Sequence, residues 1–466
     1  MDIIFKNITA ITEPISYNID IGVQNGKIAF IKPTGTHDYT ANRIIDGSYK
    51  VLMPGLYNCH SHASMVFFRG LGSDRTLEDW LFNYIVPAEK KLTPNLVRLG
   101  TTLAIAEMIS SGTIALCDMY YFCDETSLAA YDAGVLANIS NGIVTFDENF
   151  IFENSNEYAQ TMRALENIDL SDGRIKIDAS IHGVYTSPPD AWRQVVEFAQ
   201  KRSLRMHVHL SETKTEHENC KNKFGLTPTQ VFEKHGVFDI PCLAAHGVWL
   251  EEIDIKILAK HGVSIAHCPL SNLKLASGLA PITKMDNIAF PLGIGTGMNP
   301  VPASWTLPSV HAAAMNTASP FCGGTDNSLR NCYINIALGT DGVASNNSLD
   351  MFAELKMASL LQKYITNDPT AMPALQTINM ATKNGALALG REKESGQIAV
   401  GFDADIIMLD FDNVRQMVCH DPIMNIAYST SGRDVELTMC RGKILYEKGE
   451  FFTIDIEKIL YEAKKL

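Results

Sequence analysis

Val51-Leu52-Met53-Pro54-Gly55-Leu56-Tyr57-Asn58-Cys59-His60-Ser61-His62 is a stretch that runs from apolar strand residues into a pair of histidines. Residues i and i+2 of an extended chain share one face, so the imidazoles of His60 and His62 can converge on a single metal ion. An H-x-H pair alone is a weak signal, because two polar residues near a strand end give the same pattern. The other strands of the chain therefore decide between the two interpretations.

The middle of the chain alternates short apolar runs with helical stretches, the pattern of a parallel α/β sheet. Eight of these runs are candidate strands, and eight parallel strands close a (β/α)8 TIM barrel. They cover residues 51–60, 113–118, 135–145, 174–182, 204–210, 241–246, 262–267 and 333–341. Two helices carry start signals, Thr93-Pro94 before residues 96–111 and Ser348 before residues 349–364. The predicted fold class is α/β, with a barrel as its main body.

Both ends of the chain are rich in short strands and turns, over residues 1–55 and 395–466. We expect the two ends to build one small β-sandwich domain, which leaves residues 56–394 for the barrel. The barrel region contains an insert at 285–331 that is rich in Gly, Pro, Ser and Thr. Loops in such units usually have roughly 2–6 residues. The sequence leaves open whether this insert is a lid, an oligomer contact or a disordered segment.

Composition limits the classes of function. The 466 residues carry a formal net charge of −13 and contain no cluster of Lys and Arg, so no nucleic-acid partner is expected. No apolar run approaches the roughly 18 residues that a membrane span needs, and the start of the chain does not resemble a secretory signal. The predicted location is the cytoplasm, without a membrane partner. The ten cysteines include no C-x-x-C pair and are predicted to be free thiols.

Metal-ligand residue types also end other candidate strands. His209 ends the fifth strand and is followed three residues later by Glu212. His246 ends the sixth strand, and Asp341 ends the eighth. Barrel active sites gather residues from the carboxyl ends of several strands. Three histidines and one aspartate suit one divalent metal ion, Zn²⁺ with Fe²⁺ as the alternative, and leave a position for water.

Longer motifs surround these residues. They are His60-Ser61-His62, His209-Leu210-Ser211-Glu212, His246, His267-Cys268-Pro269-Leu270-Ser271-Asn272-Leu273-Lys274-Leu275 and Leu338-Gly339-Thr340-Asp341-Gly342-Val343-Ala344-Ser345-Asn346-Asn347. Together they resemble the metal-dependent amidohydrolase superfamily, and within it the 5-methylthioadenosine/S-adenosylhomocysteine deaminases and the triazine chlorohydrolases. The similarity extends over nearly the whole chain, including both β-rich ends. It implies a single metal ion with His60, His62, His209 and Asp341 as ligands.

Such a site gives each neighbouring group a role. A bound divalent metal lowers the pKa of its water from about 15.7 toward about 7, which supplies hydroxide at neutral pH. Asp341 can take the proton that this water loses. Glu212 can protonate the ring nitrogen of the substrate and then the departing ammonia. His246 would orient the water or polarise the intermediate; the alternative for Glu212 is a helix cap.

Three residues have competing interpretations. His207 would face the barrel interior beside His209 and is predicted to be a packed, hydrogen-bonded core residue. The role of His267 stays open between structure and site. Asp326, in Gly324-Thr325-Asp326-Asn327, follows a Gly-rich loop rather than an apolar strand, so Asp341 is preferred as the ligand.

The resemblance also implies substrate contacts. Trp80 and Glu89 match positions that hold the base and the ribose, and His182 matches a histidine that contacts the base. An aromatic face beside a carboxylate suits a purine nucleoside, because the carboxylate accepts hydrogen bonds from both ribose hydroxyls. Ser345 is a further candidate for the pocket lining. The alternative for Trp80 is a helix residue packed on the barrel.

These patterns predict a metal-dependent hydrolytic deaminase of an adenine-type nucleoside: 5-methylthioadenosine, S-adenosylhomocysteine or adenosine. Some deaminases of this branch carry an arginine where this chain has Asn141-Gly142-Ile143, so a salt bridge to a homocysteine carboxylate stays open. The alternatives are a guanine, pterin or other heterocycle deaminase, a triazine-type chlorohydrolase, and a catalytically silent scaffold. A site bridged by a carboxylated lysine is disfavoured because the fourth strand ends in His182. We expect the small-molecule substrate to be bound by a homo-oligomer, a dimer or a tetramer.

Overall fold

The computed structural model describes residues 1–75, 77–289 and 334–465. Within these ranges the strands form three sheets. In chain order the strands are β1 (Ile3–Ala10), β2 (Ser16–Gln24), β3 (Lys27–Pro33), β4 (Arg43–Asp46), β5 (Lys50–Pro54), β6 (Leu56–Ser61), β7 (Thr113–Met119), β8 (Leu136–Ser140), β9 (Ile175–Ile177), β10 (Ala179–Ile181), β11 (Met206–Leu210), β12 (Cys242–His246), β13 (Ser264–His267), β14 (Asn335–Leu338), β15 (Ile406–Asp410), β16 (Val435–Cys440), β17 (Lys443–Glu447) and β18 (Glu450–Phe451).

Helices fill the connections between the strands. The longer ones span Pro94–Ser110, Cys123–Ala133, Asn156–Asn167, Pro189–Arg202, Lys214–Phe224, Pro228–Lys234, Glu252–His261, Pro269–Lys274, Ile282–Ala289, Met351–Thr366, Ala374–Met380, Lys383–Ala388, Pro422–Tyr428 and Ile456–Ala463. Short helical turns span Ala63–Phe68, Leu77–Trp80, Leu81–Ile85, Val86–Glu89, Phe152–Asn154, Val237–Asp239, Val343–Asn346 and Gly432–Asp434. The alternation of strand and helix through the middle of the chain is that of an α/β protein.

The strands β6 to β14 form the wall of the barrel. A parallel sheet of four strands, β6 to β9, is followed by a parallel sheet of five, β10 to β14. β9 and β10 are separated by a single residue, Asp178, and together occupy one of eight strand positions. The last strand returns to the first, since the amide of Asp341 donates to the carbonyl of His60 at 2.9 Å. The predicted fold class is confirmed.

Both ends of the chain contribute to the third sheet. Its strand order is β18-β17-β16-β15-β5-β1-β2-β3, with β4 paired to β1. The joint between the two ends is the antiparallel pair β5 and β15, where Leu52 lies opposite Met408. Phe5, Ile21 and Leu437 are buried in its core. The prediction that one β domain contains both termini is confirmed.

One predicted strand is in fact two. The run 51–60 divides at Gly55, with β5 in the terminal sheet and β6 in the barrel. A side chain at Gly55 would not fit, because a Cβ there would lie 2.5 Å from Cγ1 of Ile114. The continuous apolar pattern hides this change of sheet, since both strands are buried on both faces.

The two predicted helix starts have different outcomes. Thr93 caps the helix Pro94–Ser110 as predicted, and its hydroxyl accepts the amide of Leu96 at 3.3 Å. The prediction that Ser348 caps a helix over 349–364 is wrong, because that helix spans Met351–Thr366. Its cap is Asp350, whose carboxylate accepts the amide of Phe352 at 3.0 Å. The Ser348 hydroxyl accepts the amide of Asp350 and so shapes the turn before the helix.

Three further predictions concern the insert, membrane-spanning helices and the cysteines. The insert at 285–331 lies outside the described residues after position 289, and so does Asp326. Among the residues that the structure describes, no helix combines the length and the apolar character that crossing a membrane requires. The eight cysteines in the described ranges are free thiols, as predicted.

Candidate metal and active site

Four imidazoles and one carboxylate meet at the carboxyl ends of the barrel strands. The ring of His60 lies 4.9 Å from that of His62, 4.8 Å from that of His209 and 5.3 Å from that of His246, measured between centroids. Oδ1 of Asp341 lies 3.2 Å from Nε2 of His62 and 3.5 Å from Nε2 of His60. The structure thus brings together residues that are separated by up to 281 positions in the sequence, from His60 to Asp341.

Two sets of three ligand atoms are close enough to share a cation. His60, His209 and His246 form one set, and His60, His62 and Asp341 form the other, with atoms within 4.8 Å of one another in each. His60 belongs to both sets. All four predicted ligands are therefore present in the cluster, and His246 lies within it as a further imidazole.

Backbone carbonyls orient two of the imidazoles. Nδ1 of His62 lies 2.6 Å from the carbonyl oxygen of Met119, and Nδ1 of His209 lies 2.8 Å from that of His182. A carbonyl only accepts hydrogen bonds, so Nδ1 of each ring is the donor. In the neutral ring the lone pair is then on Nε2, which is the nitrogen that faces the cluster in His62.

One unsatisfied polar atom supports a cation in this cluster. Nε2 of His60 is buried and has no hydrogen-bond partner in the described ranges. Such an atom is costly unless something else binds it. A cation satisfies it, and a donor set of imidazole nitrogens with one carboxylate is the kind that Zn²⁺ prefers. The residues present therefore fit a divalent metal ion.

Two hydroxyls bind one carboxylate oxygen of Asp341, and two imidazoles face the other. Its Oδ2 accepts hydrogen bonds from the hydroxyls of Ser271 at 2.6 Å and Ser345 at 2.9 Å. Oδ1 faces His60 and His62. Burial alone would raise the pKa of Asp341, but the imidazoles of His60 and His62 that face Oδ1 hold that pKa well below its usual range. Conversely, burial opposes protonation of His62, but Asp341 raises its pKa to about 9.

Glu212 lies next to the cluster without belonging to either ligand set. Its Oε2 is 3.8 Å from Nε2 of His246, and its Oε1 accepts a weak hydrogen bond from Ser277 at 3.4 Å. Burial raises the pKa of Glu212 above its ordinary value. The helix Lys214–Phe224 is capped by Thr213 rather than by Glu212, so the alternative of a helix cap is wrong.

Two hydrogen bonds fix groups around Glu212 and His246. Glu216 accepts the backbone amide of Glu212 at 2.7 Å, which holds the loop in place. Nδ1 of His246 lies 3.0 Å from Oδ1 of Asn272, which leaves Nε2 on the side of Glu212. Sequence reasoning gave no role to Glu216 or Asn272. The spacing of Thr213 and Glu216 is a capping signal, and Asn272 lies in the motif that begins at His267.

The predicted substrate residues lie at different places around the cluster. Glu89 accepts a hydrogen bond from the hydroxyl of Tyr120 at 2.6 Å, and the ring of Tyr120 is 5.9 Å from His62. The ring of His182 is 4.6 Å from His209. The indole of Trp80 is buried and donates to the carbonyl of Leu71 at 3.1 Å. Burial raises the pKa of Glu89 and lowers that of His182 to about 4.

Ser345 and His267 lie in different surroundings. The hydroxyl of Ser345, predicted to line the substrate pocket, is bonded to Asp341 and to the carbonyl of Gly342. His267 is buried, and neither of its ring nitrogens has a hydrogen-bond partner in the part of the chain that the structure describes. Burial lowers the pKa of His267 to about 3.

The chain is similar to known proteins over most of its length. The profile of the Amidohydrolase family matches residues 51–329 and 325–445. A 5-methylthioadenosine/S-adenosylhomocysteine deaminase from Dictyoglomus thermophilum is 39% identical over 424 residues, which cover 91% of this chain and 88% of that protein. A 5'-deoxyadenosine deaminase from Methanosarcina barkeri is 36% identical over 469 residues, which cover 100% and 97%. The crystal structure of an adenosine deaminase from Xanthomonas campestris with bound zinc matches with a TM-score of 0.86 at 28% identity, over 100% of this chain and 97% of the other.

Proposed function

This chain belongs to the Amidohydrolase family, and we propose that it is a metal-dependent deaminase that hydrolyses the amino group of an adenine-type nucleoside. The observation that carries the proposal is the meeting of His60, His62, His209 and Asp341 at one end of the barrel. Glu212 stands beside them, where a proton carrier is needed. The names of the similar proteins support the adenine class of substrate.

We assign the metal site to His60, His62, His209 and Asp341, with Zn²⁺ as the proposed ion and Fe²⁺ as the alternative. Such an ion, when bound, lowers the pKa of a water toward about 7 and so supplies hydroxide at neutral pH. Nε2 of His60, which has no hydrogen-bond partner among the described residues, and Oδ1 of Asp341, which faces His60 and His62, are the atoms that favour this assignment. The hydroxyls of Ser271 and Ser345 bind Oδ2 of Asp341, so Oδ1 is the oxygen that would bind the metal ion.

Proton transfer is proposed for two carboxyl groups. Asp341 accepts the proton that the attacking water loses. Glu212 donates its proton to the ring nitrogen of the base, takes up the proton of the hydroxyl group that has added to the ring, and delivers that proton to the departing ammonia. The proton held by Asp341 then restores the acid form of Glu212. The buried environment of Glu212 raises the pKa of its carboxyl group above the ordinary value, which favours the protonated form. His246, held by Asn272, presents Nε2 on the same side and stabilises the charge that develops on the intermediate.

The substrate is proposed to bind beside the cluster, between Glu89 on one side and His182 on the other. Glu89 would accept hydrogen bonds from the ribose hydroxyls, since Tyr120 fixes one of its carboxylate oxygens. His182 would contact the base from the other side, next to His209. Trp80 would supply an apolar face to the nucleoside, and Ser345 would line the pocket through its place beside Asp341.

One experiment ranks this proposal against its alternatives. Ammonia release is measured with adenosine, 5-methylthioadenosine, S-adenosylhomocysteine, 5'-deoxyadenosine, guanine and a pterin. Chloride release is measured with a chlorotriazine, and the metal content is measured on the same sample. We expect turnover of adenine nucleosides by a protein that holds about one metal ion per chain. Turnover restricted to guanine, the pterin or the chlorotriazine would replace the adenine class, and a metal-free protein that is inactive on every compound would overturn the proposal.

The oligomeric state and the location remain proposals as well. We propose a homo-oligomer, a dimer or a tetramer, in the cytoplasm. Sedimentation equilibrium of the purified protein measures the first, and fractionation of cells measures the second.

A further inference from the structure

A buried row of three side chains leads away from the metal site. His207 lies on β11, two residues before His209, and is fully buried. Its Nε2 is 3.0 Å from Nδ1 of His60, and its Nδ1 is 3.4 Å from Sγ of Cys117 on β7. The row therefore crosses the barrel interior from β6 through β11 to β7.

Only two arrangements of protons give each contact in this row one donor and one acceptor. A neutral imidazole has one donor and one acceptor nitrogen. In the first arrangement Nδ1 of His60 donates to Nε2 of His207, and Nδ1 of His207 donates to the sulfur of Cys117. In the second arrangement the thiol of Cys117 donates to His207, and Nε2 of His207 donates to Nδ1 of His60. The second arrangement puts the remaining proton of His60 on Nε2, where it blocks a cation.

We propose that His207 is a positioning residue that keeps the proton of His60 on Nδ1, with Cys117 as the final acceptor, so that the lone pair of Nε2 is free for the metal ion. In His62 and His209 the same tautomer, with the proton on Nδ1, is fixed by backbone carbonyls, which accept hydrogen bonds and never donate them. Nδ1 of His60 faces the imidazole of His207 instead, so the tautomer of His60 depends on a side chain. This inference rests on the proposed metal site, but it concerns a residue outside the ligand set.

The test compares two replacements at position 207. His207→Gln places an amide oxygen near the position of Nε2, where it still accepts from His60. His207→Asn places its amide near the position of Nδ1, out of reach of His60. Loss of a hydrogen-bond partner of a ligating histidine typically weakens metal binding about 10- to 100-fold. We expect the dissociation constant for Zn²⁺, measured by competition with a chelator, to change by less than about threefold in His207→Gln and to rise about 10- to 100-fold in His207→Asn.

A control and a second measurement separate positioning from packing. Val208 is equally buried on the same strand, with its side chain on the other face, so Val208→Ala disturbs packing without the hydrogen bond. We expect Val208→Ala to keep the Zn²⁺ affinity of the wild type. The visible spectrum of the Co²⁺-loaded protein should be the same in His207→Gln and the wild type and altered in His207→Asn.

Different results identify different failures. Equal Zn²⁺ affinities of His207→Gln and His207→Asn would overturn the role of His207, and so would a loss of affinity in Val208→Ala as large as in His207→Asn. If His207→Gln and His207→Asn both fail to fold, His207 acts through folding, and this result would also overturn the proposed positioning role. A wild-type protein that binds no Zn²⁺ would instead overturn the metal site itself.

Discussion

Replacing Glu212 by glutamine removes a proton carrier and keeps the shape of the side chain. Glu212 is only 7% exposed, and its carboxyl group lies 3.8 Å from Nε2 of His246. Its one hydrogen bond from a described side chain is the weak contact with Ser277, which an amide oxygen also accepts. The loss should therefore fall on turnover, while folding and metal binding are kept.

The size of the loss follows from the chemistry and the burial. Proton transfer by a positioned side chain contributes about 10²- to 10⁴-fold to a rate. At about 1.36 kcal/mol per tenfold, this range corresponds to about 2.7–5.4 kcal/mol of activation free energy. Because Glu212 is buried, solvent has little access to replace it as the donor, so the upper half of the range applies. We expect kcat for the preferred adenine nucleoside to fall by about 10³-fold or more in Glu212→Gln.

Metal content and stability provide the internal checks. Glu212 belongs to neither ligand set, so Glu212→Gln should bind as much Zn²⁺ as the wild type. Burial, reinforced by the charge of Glu212, raises the pKa of Glu216 to about 7. Removing the charge at 212 relieves this repulsion above pH 7, so the melting temperature at pH 8 should equal or exceed that of the wild type.

Ammonia release and metal analysis on the same samples decide the outcome. Glu216→Gln is the matched control, since it makes the same chemical change four residues away on a group that contacts backbone amides. It should retain more activity than Glu212→Gln. A Glu212→Gln protein with the kcat of the wild type would refute the proton-relay role, and one that loses its Zn²⁺ would show that Glu212 acts on the metal site.

Three more predictions test other parts of the structure. Ser271→Ala removes one of the two hydroxyls that donate to Asp341. Because a hydrogen bond to a charged group contributes about 1.5–3 kcal/mol, the Zn²⁺ dissociation constant, measured by competition with a chelator, should rise about tenfold or more. An unchanged dissociation constant would contradict this prediction. Burial raises the pKa of Glu354 from 4.5 to about 8, so the folded state holds this proton more tightly than the unfolded chain, and the wild type should lose stability as the pH rises between these values. Glu354→Gln should flatten that decline in urea midpoints measured from pH 5 to pH 8.5, and parallel declines in both proteins would argue against it. Zn²⁺ at about 1,000 times its dissociation constant should raise the free energy of unfolding by about 4.1 kcal/mol, and a melting temperature that is unaffected by Zn²⁺ or chelator would contradict the metal site.

The sequence was most informative where chemistry and strand ends coincide. His209, His246 and Asp341 each follow a short apolar run, and parallel strands bring their carboxyl ends to one side of a barrel. The partners of these residues were harder to predict. Asn272 and Ser271 reach the cluster from a helix after β13, so their contacts depend on packing between elements rather than on local spacing. The division at Gly55 was hidden for a similar reason, because burial on both faces removes the alternation that marks a strand.

Backbone conformation at the strand ends explains why alternation alone does not position the site. Ser211, His246 and Asp341 have φ values of 48°, 74° and 61°, a left-handed region that costs a non-glycine residue about 1–2 kcal/mol. Neighbouring backbone groups offset this cost, since the carbonyl of Ser211 accepts two amides, from Val248 and Trp249, beyond the end of β12. The amide of Asp341 is likewise bonded to the carbonyl of His60. These turns rotate the chain out of the strand direction at the candidate site. Backbone hydrogen bonds from the connection after β12 hold the turn at Ser211, and a hydrogen bond to β6 holds the turn at Asp341, so the barrel wall maintains their strained backbone geometry.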